Sequence, residues 1–184
     1  MLFARYRNYL TLLARMSLPR RLQPKLAASD VVQDVFVRAH ERIEGFRGTT
    51  EGQLVAWLRE ILVNRLADAN RRFFGTQRRE VGREQSLQDV VDRSSDALRR
   101  VPMAPGTTPS HGAHRREVGA LVADALAELK EDDREVIVLR SLQEREWSDV
   151  ALRMGRSVEA VRALWGRALQ RLGAVLAGGP CSRL

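Results

Sequence analysis

Apolar side chains in this chain recur every three and four residues over two long stretches, and nowhere do they alternate at a spacing of two for long enough to make a strand. A helix repeats every 3.6 residues and a strand every two, so the pattern admits helices and leaves no sheet to build. Phe3, Tyr6, Leu10 and Leu13 line a first helix face, which breaks at Pro19 and Pro24. A second helix is predicted from Asp30, where Asp30 and Gln33 have capping-box spacing. Its apolar face is Val31, Val32, Val35, Phe36, Ala39 and Ile43, and Gly45 and Gly48 end it. Thr50 with Gln53 starts a third helix, whose face is Leu54, Trp57, Leu58, Ile61, Leu62 and Leu66.

The period lapses after residue 80 and returns at 119. Between them lies Val101-Pro-Met-Ala-Pro-Gly-Thr-Thr-Pro-Ser-His-Gly112, which holds too few apolar side chains to order itself. Residues 81–118 therefore read as a flexible linker, with a short helix over 86–98. Beyond it, Leu121, Val122, Ala125, Leu126 and Leu129 form a helix face, and Asp132 or Asp133 is placed to cap a further helix using Val136, Ile137 and Leu142. The expected fold is all-α: two small helical domains, 1–80 and 119–177, joined by the linker and followed by a tail, 178–184.

The chain has 184 residues, 44% of them apolar, and carries a net charge of +8. That excess points to a polyanionic partner. Cys181 alone cannot make a disulfide framework or a zinc cluster, and His111 and His114 lie in a stretch with no helix to fix their geometry. Arginines interrupt the apolar N-terminus and no run is long enough to span a bilayer, so the expectation is a cytoplasmic protein without membrane insertion. No metal, cofactor or catalytic constellation is read from the sequence.

The most informative segment starts at Trp147. Ser148 can cap a short helix over 149–154, Gly155 suits a left-handed turn, and Ser157 can cap a longer helix through 172. Val150, Ala151, Val161 and Leu164 fall on the inward positions of a helix-turn-helix. The outward face of the second helix carries Glu159, Arg162, Ala163, Gly166, Arg167 and Gln170. Arginine can pair with guanine, glutamate can accept from cytosine, and small residues let a helix lie deep in the major groove. Arg156 follows the turn where an apolar residue is more usual, and the sequence gives no reason for it. Residues 119–149 hold nine acidic and four basic side chains, whereas 150–184 hold one acidic and six basic, so the basic half coincides with the motif.

Residues 1–80 hold fifteen basic and eight acidic side chains. Arg65, Arg71, Arg72, Arg78 and Arg79 cluster at the end of the third helix beside Asn64, Asn70, Phe73 and Phe74. Cations interleaved with aromatics and amides suit unpaired DNA, although the phenylalanines fit helix-end packing equally well. Trp57 faces the apolar stripe and reads as core.

Asp30-Val-Val-Gln-Asp-Val-Phe36, Phe46-Arg-Gly48 and Trp57-Leu-Arg-Glu-Ile-Leu-Val-Asn64 together resemble region 2 of bacterial RNA polymerase sigma factors of the extracytoplasmic-function (ECF) type. Residues 129–172, with Asp133-Arg-Glu-Val-Ile-Val-Leu139, resemble region 4 of the same family. The resemblance implies a promoter-specificity subunit whose partners are core polymerase and promoter DNA, with an anti-sigma factor as a further partner in many relatives, and a monomer when free. It places Asp30, Gln33 and Asp34 against the polymerase clamp. It assigns Arg47, Thr49, Thr50, Asn64, Asp68, Arg71 and Arg72 to the melted −10 element. Ser157, Glu159, Arg162, Ala163, Gly166, Arg167 and Gln170 would read the −35 element as duplex. The chain departs from the family in its longer loop, Gly48-Thr-Thr-Glu-Gly52, in Arg156, and in Leu164-Trp165-Gly166, which replaces a more basic stretch. On the residues alone, a free-standing helix-turn-helix regulator with a sensing or dimerising N-terminal bundle stays open as the alternative.

Overall fold

A short 3-10 turn, Ala4–Tyr6, leads into α1 (Arg7–Ser17), which buries Tyr9, Leu10, Leu12, Leu13 and Ala14. The helix stops because Leu18 precedes a proline and turns extended, at φ −66° and ψ 121°. The computed structural model describes residues 3–19, 22–74, 80–101 and 114–178; they form eight α-helices and, among the described residues, no strand. The chain divides into two units, Met1–Ser95 and Asp96–Leu184.

In the first unit α1 packs on α2 (Ala28–Arg42) and on α3 (Glu51–Phe74). Val31, Val32, Val35 and Ala39 of α2 meet Leu54, Leu58, Ile61, Leu62 and Leu66 of α3 inside the core, as the 3.6-residue stripes require. The start of α2 differs from expectation. Its N-cap is Ala27 and no side chain caps it, so Asp30 lies in the first turn, where the helix dipole favours a carboxylate. At α3 the capping box does form: the Gln53 side-chain oxygen accepts from the Thr50 amide at 3.1 Å, and the Thr50 hydroxyl accepts from the Gln53 amide at 3.3 Å.

The stretch expected as linker is largely helical. α4 (Glu80–Arg100) is 21 residues long rather than a short piece, and α5 (His114–Glu128) begins before residue 119. Buried Val91 and Leu98 are the sparse apolar contribution of α4, and polar contacts supplement them. The buried Ser95 hydroxyl meets the Tyr9 hydroxyl at 2.9 Å and accepts from Arg59 at 2.9 Å, while Arg59 pairs with Asp92 at 3.3 Å. Residues 102–113 of that linker and 179–184 of the tail lie outside the described residues.

In the second unit α5, α6 (Glu131–Ile137) and α7 (Trp147–Met154) all pack on α8 (Val158–Gly178). A π-helical turn, Val138–Leu142, continues α6, and Glu144 follows in the left-handed region at φ 53°. Asp132 and Asp133 do not cap α6, whose N-cap is Lys130. The Asp133 carboxylate is 3% exposed, and one guanidinium nitrogen of Arg171 on α8 donates to both its oxygens, at 2.7 and 2.6 Å. The arginine itself is 52% exposed. That asymmetry fixes the cost of breaking the pair, because a stranded buried charge is costly and a stranded surface charge is not. Arg171→Ala should destabilise the second unit by about 2 kcal/mol in urea unfolding, and Asp133→Asn by under about 1 kcal/mol. The reverse order would refute this assignment.

Candidate nucleic-acid interface

Gly155 makes the turn of the helix-turn-helix. It closes α7 at φ 63° and ψ 36°, a conformation costly for any residue with a Cβ, and its amide donates back to the Ala151 and Leu152 carbonyls. Ser157 then caps α8 as expected, its hydroxyl accepting from the Ala160 amide at 3.2 Å. Ser148 caps nothing: α7 starts at Trp147, with Glu146 as N-cap. Val150, Ala151, Val161 and Leu164 are buried. The opposite face of α8 presents Glu159, Arg162, Ala163, Arg167 and Gln170 to solvent, with Gly166 half-exposed among them.

The acidic and basic halves of this unit turn out to answer each other. Arg153 of α7 pairs with Glu135 at 3.6 Å, Arg156 with Asp132 at 2.5 Å, and Arg171 with Asp133. The excess positive charge at the motif is therefore smaller than the sequence suggests, and Arg156 gains a reason: it ties the turn to the start of α6. Among the described residues neither Arg162 nor Arg167 has an acidic partner. Both are exposed on α8.

In the first unit the candidates fall into two groups. Arg47, Thr49 and Thr50 are exposed in the loop before α3, where the Gln53 side chain also accepts from the Thr49 amide at 2.8 Å. The loop is held from beneath by aromatic contact: Phe46 lies 5.0 Å from Trp57, which lies 6.5 Å from Phe3, which stacks on Phe36 at 6.2 Å. Trp57 is half-buried in this cluster rather than fully in the core. A Cβ on Gly48 would overlap the Phe46 ring, so the ring would have to shift for any larger residue there. Asn64, Asp68, Arg71 and Arg72 lie along the second half of α3, about 20 to 30 Å beyond its start at 1.5 Å per residue. Asp68 there pairs with both Arg65 and Arg71, so it braces the cluster. Phe73 is 37% exposed with the Lys25 ammonium 5.7 Å from its ring, which favours an accessible aromatic over core packing. Arg78 and Arg79 lie outside the described residues.

Asp30, Gln33 and Asp34 are exposed on α2. Val37, 52% exposed, continues their row at helical spacing and was not singled out by sequence, since it interrupts a polar face instead of extending the apolar one. Among the described residues no cluster of His, Cys, Asp and Glu could hold a metal ion, and no helix is long and apolar enough to cross a membrane. His111 and Cys181 lie outside the described residues.

Comparison with known proteins bears on this arrangement. The Sigma-70 region 2 family model matches residues 2–73, and the Sigma-70 region 4 model matches residues 125–173. RNA polymerase sigma factor CnrH of Cupriavidus metallidurans is 32% identical over 153 residues, 83% of this chain and 75% of the relative. The chain belongs to the ECF sigma factors of bacterial RNA polymerase. The ECF RNA polymerase sigma-E factor of Haemophilus influenzae is 29% identical over 94% of this chain and 84% of its own length. The RNA polymerase sigma-H factor of Pseudomonas aeruginosa is 27% identical over 79% and 70%. No solved structure gives a significant match. In this sigma factor the region 2 match ends within α3 and the region 4 match runs from the end of α5 through most of α8, so α4 lies between the two.

Gly48→Ala should shift Phe46 off Trp57, lowering the stability of the first unit by about 1–3 kcal/mol and weakening the near-ultraviolet aromatic circular dichroism. An unchanged spectrum and melting temperature would show that the ring does not need that space.

Proposed function

We propose that this sigma factor directs bacterial core polymerase to promoters through three separate surfaces, and that it supplies recognition while the polymerase supplies the chemistry. The α8 face of Glu159, Arg162, Ala163, Gly166, Arg167 and Gln170, with Ser157 at its cap, reads the −35 element as duplex. The loop residues Arg47, Thr49 and Thr50 and the α3 residues Asn64, Asp68, Arg71 and Arg72 take the −10 element. The polar row of α2, Asp30, Gln33 and Asp34, docks on the polymerase. Residues 1–80 and 119–177 then act as two reading modules, the free protein is a monomer, and an anti-sigma factor is a further partner to be sought.

The observation that carries the α8 assignment is charge selection. Three arginines of the motif are committed to acidic side chains, and the two without such partners both project from the exposed face of the helix that follows the turn. The loop candidates and those on α3 are about 20 to 30 Å apart along the helix, so the two groups can address different bases of one short melted element.

The test is reconstitution with bacterial core polymerase followed by mapping of transcript start sites. Arg162→Ala with Arg167→Ala should reduce −35-dependent initiation by at least about tenfold and leave core binding intact. Gln33→Ala with Asp34→Ala should weaken core binding and leave duplex recognition intact. Arg153→Ala should do neither. If both double variants fail in the same way, the division of surfaces is wrong.

Gly166 separates stability from reading. A Cβ there meets nothing within 4 Å, so Gly166→Ala should stabilise α8 by up to about 1 kcal/mol. The same methyl group intrudes on the DNA face, so −35-dependent initiation should fall while the melting temperature rises. Equal or better initiation would remove Gly166 from the interface.

A further inference from the structure

Trp147 opens α7 half-buried, and side chains from two other elements converge on its indole. Trp165 of α8 meets it edge-on with ring centroids 5.6 Å apart, and is itself fixed by its indole N–H donating to the Ser141 hydroxyl at 2.9 Å. The guanidinium carbons of Arg140 and Arg162 lie over the same ring, 4.7 and 5.5 Å from its centroid. Arg140 is anchored independently, donating to the Arg145 carbonyl at 2.8 Å. Arg162 is not: among the described residues no hydrogen bond or ion pair holds it, and the indole of Trp147 is its one ring contact.

We infer that Trp147 is a positioning residue for duplex reading, holding the Arg162 guanidinium over its ring so that its donors meet a guanine of the −35 element. The inference rests on the reading of α8 given above. A guanidinium laid on an aromatic ring is attracted through its face and keeps its in-plane N–H groups free. Those are the donors that guanine O6 and N7 require in the major groove. An arginine with no such support must surrender its rotamer freedom on binding, and one already restrained surrenders less. The edge contact from Trp165 and its bond to Ser141 keep the supporting ring in place. Where the family has a more basic stretch this chain has Leu164-Trp165-Gly166, and the geometry gives Trp165 a use in place of the missing charge.

The experiment uses holoenzyme assembled on bacterial core polymerase and duplex promoter fragments randomised across the −35 region, with retained sequences read at several salt concentrations. Arg162→Ala should lower the guanine preference at one position by about tenfold. Trp147→Leu should lower it to a similar extent at the same position, and Trp147→Phe should keep it within about twofold. Neither Trp147 change should alter the salt dependence, because no charge is removed. If Trp147→Leu keeps the preference that Arg162→Ala abolishes, Trp147 does not position Arg162, while α8 remains the reader. If Arg162→Ala itself keeps the preference, the assignment of Arg162 to the duplex fails and the inference with it. Should Trp147→Leu fail to fold, the free wild-type chain decides. Side-chain proton resonances of Arg162 are expected upfield, in the shielding region of the indole, and ordinary arginine shifts would overturn the proposal.

Discussion

Burying the Asp133 carboxylate is costly unless its charge is answered, and Arg171 of α8 answers it. Much of what the second unit can do follows from that one contact. It fastens α8 to the first turn of α6, while Val161, Leu164, Ala168 and Leu172 seal the apolar side of the same helix. With α8 fixed on one face, the opposite face is presented as a set, and Glu159, Arg162, Arg167 and Gln170 keep their mutual spacing. The weaker pairs, Arg156 with Asp132 and Arg153 with Glu135, add little energy as exposed contacts. On the proposed reading they also occupy cations that could otherwise hold phosphate.

The first unit solves a related problem with aromatic packing in place of ion pairs. Its loop before α3 must offer Arg47, Thr49 and Thr50 to solvent without collapsing. The Phe46 ring, seated against Trp57 and over Gly48, holds the loop from one side, and the Thr50–Gln53 capping box holds it from the other. The capping box also commits part of the hydrogen-bonding capacity of Thr50 to the helix, though its hydroxyl retains donor capacity for a base. Asp68 serves the far end of α3 in the same spirit, spacing Arg65 and Arg71 apart by answering both.

The helical stripes, the turn at Gly155, the cap at Ser157 and the box at Thr50 were all legible in the sequence, because each depends on residues within four positions of one another. The starts of α2 and α7 were not, since Ala27 and Glu146 cap through backbone alone and carry no side-chain signal. Nor was α4 at its full length: only a few apolar side chains mark it, and Ser95 and Asp92 supplement them by reaching Tyr9 and Arg59, far away in sequence. The charge halves of the second unit misled for the same reason. Composition shows how many arginines flank the motif and nothing of which ones find a carboxylate, because Arg171 and Asp133 are 38 positions apart.

That sorting of charge bears on why such a protein works with a large partner. The salt slope of duplex binding scales with the phosphates neutralised, at about 0.9 per contact. With Arg162 assigned to a base, as proposed above, Arg167 is the motif arginine without an acidic partner left to phosphate, which would support a slope of only about one and so a modest non-specific affinity. On the proposed reading, such a reader would not hold DNA by itself at physiological salt, and the free subunit would not be spread over every duplex it meets. Attached to polymerase alongside a second weak reader, each contact becomes intramolecular at an effective concentration in the millimolar range. Affinity then comes from the assembly, and the few side chains facing the bases are free to serve discrimination. A motif with all its arginines free of acidic partners would bind more tightly and choose less well.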